Sequence, residues 1–368
     1  MKIVVLDIAA SKTGAVSILK DFAAYLNSSP DDHEWIFVTG VPGLIEETGR
    51  IRVILREDVK RSWPARLKFE WFTGTRFLEE LNADAVFSLE NTLPKTSLKS
   101  VLYVHQPLGY QTGKRFSFFK KEERHLAVYQ HLISRLIDGS VRRAGKTIVQ
   151  TEWMRQAVIK KCGVSENRVI KILPELPELS GLYAGDPGTA GWRNDRFFFP
   201  AGPILYKNHS LVIEAAILLN KRGIKDFRVT FTLSGEEAGA ALTEAAGKTE
   251  GNIVWAGSLP RKEVIRRYRE ETLVFPSYIE TFGYPPAEAR ALGGNVLASD
   301  TPFCREVLEG YKCTAWFNPF DAESLASLME EVIAGRLFSD SAGNVTEPGI
   351  SGEEKGSSWG RVVKEIVT

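Results

Sequence analysis

Short apolar runs recur along the chain, separated by longer stretches of helical periodicity. In the first half the runs are KIVVLDI, EWIFVTG, IRVILR, DAVFSLE, SVLYVHQ, KTIVQT and RVIKILP; in the second they are RFFFPAG, DFRVTFTLSG, NIVWAGS, LVF and NVLAS. Between them VSILKDFAAYL, the stretch 121–144, EWMRQAVIKKCG, HSLVIEAAILLNKRG, RKEVIRRYREE and ESLASLMEEVIAG carry apolar residues at the spacing that lines one face of a helix. Strands alternating with helices argue for parallel, doubly wound sheets. The segment PELPELSGLYAGDPGTAG (174–191) has the Pro- and Gly-rich composition of a linker and marks a domain boundary. The closing SSWGRVVKEIVT reads as one more helix with an apolar stripe.

Composition fits this picture. A chain of 368 residues exceeds most single cores, so two domains of roughly 170 residues each are expected. Hydrophobic content of 43% with 25% charged residues is ordinary for a soluble globular protein, and no run reaches the ~18 apolar residues of a membrane span. MKIVVLDIAASKTG meets Asp7 too early for a secretory signal and reads as a first strand. Three cysteines, odd in number and without metal-ligand spacing, argue against a disulfide framework or zinc site and point to a reducing cytoplasm.

Charge changes the picture more. Residues 1–180 hold 27 Lys and Arg against 21 Asp and Glu, while residues 181–368 hold 20 against 25. A basic first half facing an acidic second suggests an anionic partner, a phosphorylated substrate or a lipid surface. Two segments of the basic half, VKRSWPARLKFEWF (59–72) and GKRFSFFKKEERH (113–125), interleave cations with Trp and Phe. Such segments can lie in a membrane interface, although aromatics at helical spacing also build cores. Neither segment matches a nucleic-acid-binding module, so no nucleic acid is expected as partner.

The candidate chemistry concentrates in VFPSYIETFGYPPAEARALGGNVLAS (274–299). Pro285 and Pro286 fit a helix start, which puts the amides of Thr281, Phe282 and Gly283 at its positive end, an anion site. Glu280 and Glu288 bracket this turn. Lys207 stands just before another helix start, a position suited to a phosphate. His105 follows the strand VLYVH, where ligands of open α/β sheets bind. Gly14 closes the first strand-to-helix turn, which fits a phosphate- or sugar-binding loop or a plain tight turn.

At PSYIETFGYPPAEA (276–289) and GGNVLASDTPFCREV (293–307) the chain resembles a retaining glycosyltransferase of the group 4 family, the bacterial polysaccharide and glycoconjugate type. FFFPAGPILYKNHSLVIEA (197–215), LYVHQPL (102–108), TIVQTEWMRQAV (147–158) and SLENT (88–92) extend the likeness along the chain. The resemblance implies a GT-B fold, α/β, with two Rossmann-like doubly wound domains facing a cleft. Residues 1–178 are then the acceptor-binding domain, residues 192–350 the nucleotide-sugar-binding domain, and 351–368 a terminal segment whose helix packs back on the first domain.

The same resemblance implies the roles. Glu280 contacts hydroxyls of the donor sugar, the amides of Thr281 to Gly283 approach sugar and diphosphate, and Glu288 takes the ribose hydroxyls. Lys207 neutralises the diphosphate and His105 lies near the reacting sugar, so the catalytic set is His105, Glu280 and Lys207. The donor-binding set adds Gly14, Thr281, Phe282, Gly283 and Glu288. The expected donor is a UDP- or GDP-linked hexose acting as co-substrate, with no separate cofactor and no metal. The expected acceptor is a saccharide or a polyprenyl-diphosphate-linked saccharide, met in the cytoplasm or at the inner face of the cell membrane. One Glu in a loop and one on a helix beside a phosphate-type site favour transfer over hydrolysis, where two carboxylates would flank the scissile bond. A nucleotide-sugar 2-epimerase of the same architecture and a non-catalytic nucleotide-sugar-binding protein are the alternatives. Two departures from the family stand out. Gly202 occupies the position where many members carry an Arg five residues before the lysine, leaving His209 or a basic residue of the first domain to replace it. The usual glycine pair after the first strand is reduced to Gly14.

Overall fold

A computed structural model describes residues 1–11, 13–30, 32–176, 191–338 and 357–368. Most of the linker read at 174–191 lies outside the described residues. The chain divides into two compact units, one formed by residues 1–175 with the C-terminal helix, the other by residues 176–354.

The first unit is built on a sheet of seven parallel strands. They are β1 (Lys2–Asp7), β2 (Glu34–Thr39), β3 (Ile51–Leu55), β4 (Ala85–Ser88), β5 (Lys99–Tyr103), β6 (Lys146–Val149) and β7 (Val169–Lys171), in the order β3-β2-β1-β4-β5-β6-β7. Successive side chains of a strand point to opposite faces, and here both faces are covered. Val4, Leu6, Ile36, Val38, Val86 and Leu102 fall in one core, while Ile3, Val5, Trp35, Phe37, Phe87 and Val101 fall in the other. That is why the central strands read as near-continuous apolar runs, while the edge strand β3 carries the exposed Arg52.

The helix Ser358–Val367 belongs to this unit. Its Val362, Val363 and Ile366 complete the second core, Trp359 lies against Phe22 and Tyr103, and Glu365 pairs with Lys146 at 2.6 Å.

Two helical stretches of this unit contain a π turn, one of them the expected helix 121–144. The stretch 121–144 runs as Arg124–Val128, a π turn Tyr129–Ile133 and Ser134–Arg143. The first aromatic segment spans short helices Glu57–Lys60 and Trp63–Lys68 and a π turn Phe69–Thr73. The basic-aromatic segments split between core and surface. Phe69 and Phe116 are buried, whereas Trp63, Leu67, Trp71 and Phe118 are exposed, Phe72 is 76% exposed and Phe119 is 93% exposed.

The second unit carries six parallel strands, β8 (Arg196–Phe199), β9 (Arg228–Phe231), β10 (Ile253–Trp255), β11 (Thr272–Phe275), β12 (Val296–Ser299) and β13 (Thr314–Phe317), ordered β10-β9-β8-β11-β12-β13. Several of its elements go beyond those read from the pattern, among them the helix Pro302–Val307. Strand β13 (TAWF) is a short edge strand with three of its four residues half-buried. The helix Gly235–Gly247 is built of small residues and interrupted at Gly239, where φ is 77°. It shows no apolar stripe, but Ser234 and Glu237 form a reciprocal capping box at its start, a signature readable as S-x-x-E.

Candidate functional site

The order of the second sheet reverses between β8 and β11, and ligands of open α/β sheets bind beyond the carboxyl ends of the strands at such a switch point. The loops leaving these two strands carry the predicted residues. After β8 the chain makes a tight turn Leu205–Lys207, and Asn208 adopts a left-handed conformation (φ 66°) before the helix His209–Lys221. Asparagine tolerates that conformation better than most residues. Its side chain donates to the carbonyls of Pro276 (3.3 Å) and Pro319 (2.7 Å), and the Tyr278 amide donates to the carbonyl of Tyr206 (3.2 Å). The strand-end loops are thereby tied to one another.

This tie brings Lys207 and Glu280 together. The Lys207 ammonium donates to Glu280 Oε1, with both side chains largely buried at 18% and 16% exposure. Burial, then the charge of Glu280, pushes the neighbouring Tyr206 phenol up.

Three residues beyond Glu280, Gly283 takes φ 89° and caps the helix Tyr284–Ala291, whose first turn holds Pro285 and Pro286. A side chain is strained in that conformation, and the helix start therefore favours glycine before it. Phe282 sends its ring into the core at 1% exposure, packed edge-on to Tyr284 at 5.3 Å, so only its backbone faces the turn. Thr281 is half-buried.

Glu288 lies in the second turn of this helix and is 4% exposed. Arg261, the first residue of the helix Arg261–Glu270, holds it in a fork, Nη1 to Oε2 at 3.0 Å and Nη2 to Oε1 at 2.7 Å. The Tyr268 hydroxyl is a third partner. Burial, then Glu288, pushes that phenol far up, so it stays protonated as a donor. Burial pulls Arg261 down, but the bond to Glu288 raises it on balance.

His209 does not replace the cation missing at Gly202. Its ring is 3% exposed, packed on Phe199 at 4.7 Å and Phe231 at 5.0 Å, and burial followed by the charge of Lys207 lowers it to about 4. It is therefore a neutral core residue at pH 7. Around Gly202 itself nothing among the described residues lies within 4 Å of where a Cβ would stand.

In the first unit, His105 is half-buried and follows β5. Its amide donates to Asn91 Oδ1 at 2.7 Å, which orients the Asn91 side chain, and Asn91 Nδ2 then faces His105 Nε2 at 3.2 Å. Since that Nδ2 can only donate, Nε2 accepts and the proton sits on Nδ1. Nδ1 has no hydrogen-bond partner among the described residues, and burial lowers the ring to about 4. His105 is thus a neutral donor with a fixed tautomer. Gly14 lies exposed in the first turn of the helix Thr13–Ser28, its φ is not positive, and an added Cβ would meet nothing described within 4 Å. The backbone there has no need of glycine.

The switch point of the first sheet, between β1 and β4, holds a charged cluster that the sequence pattern does not reveal. Arg66 donates to Glu90 at 3.0 Å, and to Glu70 and Thr92 at 3.4 Å, while the Ala9 amide donates to Glu90 at 3.2 Å. Asp7, closing β1, is 3% exposed, and burial, then Glu90, pushes its carboxyl up to about 8. In the unfolded chain it ionises near 3.8. The unfolded state therefore holds fewer protons between about pH 4 and 8, and stability falls as pH rises through that window. Asp7→Asn is expected to remove this slope, matching the wild type near pH 4 and exceeding its stability at pH 8 by on the order of a few kcal/mol in urea denaturation. An unchanged slope would assign the titration to another group.

Residues 194–346 match the family described as Glycosyl transferases group 1. A stretch of 98 residues is 33% identical to the serotype-specific mannosyltransferase WbdA of Escherichia coli, covering 26% of this chain and 12% of that protein. The match thus spans only about an eighth of the length of that curated relative. Two solved structures share the fold. WaaG, a glycosyltransferase involved in lipopolysaccharide biosynthesis, aligns at a TM-score of 0.68 with 14% identity over 100% of both chains. A glycosyltransferase from Rickettsia africae aligns at 0.64 with 15% identity over 93% of this chain and 90% of its own. The chain has the GT-B fold, two parallel-sheet α/β domains. The matched stretch contains Lys207, Glu280, Arg261 and Glu288, whereas His105, Gly14 and the Asp7 cluster lie outside it. Sequence reasoning did not find Arg261, Tyr268, Asn208 or Asn91. Asn208 alone left a signal, as an Asn directly before a helical run.

Proposed function

We propose that the protein transfers a hexosyl residue from a UDP- or GDP-linked sugar to a saccharide or lipid-linked saccharide acceptor, with retention of anomeric configuration, in the synthesis of a bacterial surface polysaccharide or glycoconjugate. The observation that carries this reading is the Lys207–Glu280 pair at the β8/β11 switch point, beside the glycine-capped helix start. Departure of a diphosphate from an oxocarbenium-like centre demands positive potential on the leaving group more than a strong nucleophile. Lys207 and the backbone of Thr281 to Gly283 supply it, Glu280 takes hydroxyls of the transferred sugar, and Glu288 takes those of the ribose. His105, a neutral donor at pH 7, is assigned a hydrogen bond to the sugar rather than proton transfer. Gly14 keeps only its position in the β1 loop as support for a donor contact.

The test is turnover followed by NMR. With a GDP- or UDP-hexose and a saccharide acceptor, the product is expected to keep the donor's anomeric configuration. The match to a mannosyltransferase makes GDP-linked mannose the first donor to try. Inversion would overturn retention. Isomerisation of the sugar without acceptor would identify an epimerase, and binding without either reaction a nucleotide-sugar-binding protein.

The acceptor reading extends to a lipid surface. Among the described residues no helix is long and apolar enough to cross a membrane. The first unit nevertheless exposes Trp63, Leu67, Trp71, Phe72, Phe118 and Phe119 within its basic segments, and Lys95 (4.7 Å) and Arg143 (5.7 Å) lie over the Trp71 ring. Aromatic rings beside cations suit the headgroup region of an anionic membrane. The protein is expected to float with phosphatidylglycerol vesicles at low salt, and Phe72→Asp with Phe119→Asp to abolish flotation. Failure of the wild type to float would remove the membrane from the reading.

A further inference from the structure

The fork between Arg261 and Glu288 carries an inference that rests on the ribose role proposed for Glu288. A buried carboxylate costs stability unless paired and hydrogen-bonded. Glu288 is satisfied by two guanidinium N–H groups at 3.0 and 2.7 Å and by the Tyr268 hydroxyl. An ionised carboxylate offers about four acceptor positions, so three are filled by protein. A fork from both terminal guanidinium nitrogens uses both oxygens and fixes the rotation of the carboxylate plane. The remaining acceptor position is then fixed in direction before any ligand arrives.

Among the described residues packed around it, no other cation replaces this arrangement. Arg290, on the same helix, turns to the carbonyls of Val307 (2.9 Å) and Glu309 (3.0 Å). On the helix Pro302–Val307 packed beside it, Arg305 is held by Asp300 at 2.7 Å. The strands β11 and β12 beneath contribute only Thr, Leu, Val, Phe, Ala and Ser. Arg261 itself is anchored at the first turn of its helix, directly after Pro260, and its side chain is 37% exposed.

We infer that Arg261 is a positioning residue for the nucleotide: by locking the Glu288 carboxylate it sets the preference of the donor site for a ribose over a deoxyribose. A site built to hydrogen-bond a hydroxyl rejects the analogue lacking it, because its own polar group is left unpaired. That rejection depends on the carboxylate being unable to turn away, which is what the fork prevents. Lysine keeps the charge but has no fork, so the exchange is not conservative here.

The experiment titrates UDP and GDP, and their 2′-deoxy counterparts, into the full-length wild type, Arg261→Lys, Arg261→Met and Glu288→Gln, following heat. The wild type is expected to favour the ribonucleotide at least tenfold, and Arg261→Met and Glu288→Gln to reduce the ratio to about twofold. Arg261→Lys, which retains a cation beside the buried Glu288 and is the variant judged if Arg261→Met does not fold, is expected to lower the ratio at least threefold. In turnover it should raise donor KM with kcat nearly unchanged. A wild-type ratio in both Arg261 variants would overturn the inference and leave Arg261 as a packing residue. Equal affinity of the wild type for the ribo and deoxy forms would instead overturn the ribose role of Glu288, and the inference with it.

Discussion

With the role proposed for it, Lys207→Ala is expected to lower sugar transfer about a hundred- to a thousandfold, the cost of removing one preorganised charge from a leaving-group site, ~2.7 to 4 kcal/mol of barrier. Two features put this effect at the large end. Lys207 is largely buried, so its charge acts through a medium less screening than water. It is also the partner of Glu280, so its removal leaves a carboxylate unopposed beside the proposed diphosphate site, adding repulsion to the lost attraction. His209 cannot compensate, because it is neutral and enclosed by Phe199 and Phe231. The fold should persist, since the loop is also held by Asn208 through the carbonyls of Pro276 and Pro319. The measurement is kcat/KM with a matched melting curve. Adding Glu280→Gln to Lys207→Ala tests the coupling: it should recover donor affinity but not kcat, because the repulsion goes while the leaving group still lacks its cation. Turnover within threefold of wild type in a folded Lys207→Ala protein would dismiss the assignment.

What could be read from the chain beforehand follows from the range of each interaction. Strands with both faces buried declare themselves by composition, as in RFFF of β8 and VVL of β1. The loops after β8 and β11 are local too: a proline pair starts one helix, and a lysine and asparagine precede the other. Their meeting follows from the sheet order, which sets β8 beside β11 and which the alternation of strands and helices leaves open. What stayed hidden depends on partners far apart in sequence. Arg261 reaches Glu288 across 27 positions, and Arg66 reaches Glu90 across 24. No periodicity links the two partners of such a pair. His209 misled for the converse reason. A histidine at a helix start suggests a ligand, and only the three-dimensional neighbours reveal a ring stacked in the core. Small-residue segments such as GEEAGAALTEAAG escape because helical spacing is visible only where apolar side chains mark it.

The second large effect concerns stability and lies far from the chemistry in sequence. Deleting residues 357–368 is expected to unfold the first unit, although that unit's sheet ends at Lys171. The helix Ser358–Val367 places Val362, Val363 and Ile366 at 1%, 9% and 0% exposure in the core behind β1, β4 and β5, with Trp359 against Phe22 at 4.9 Å. Burial of each such side chain is worth about 1.5–3 kcal/mol, so Val362, Val363 and Ile366 contribute roughly 4.5–9 before the partly buried Trp359 is added, comparable to the ~5–15 kcal/mol that stabilises a whole domain. The Lys146–Glu365 pair is about a quarter to a third exposed and adds less than about 1 kcal/mol. Removal of the helix also bares Phe22, Phe87 and Tyr103, otherwise at 0%, 0% and 4% exposure, and so opens an apolar face that promotes aggregation. The point variant Ile366→Ala, which leaves the helix in place, is expected to cost about 2–5 kcal/mol. Chemical denaturation followed by the fluorescence of Trp35, a fully buried reporter in β2, reads both. A truncated protein whose Trp35 signal melts cooperatively at the wild-type midpoint would show that the first unit closes its core without this helix.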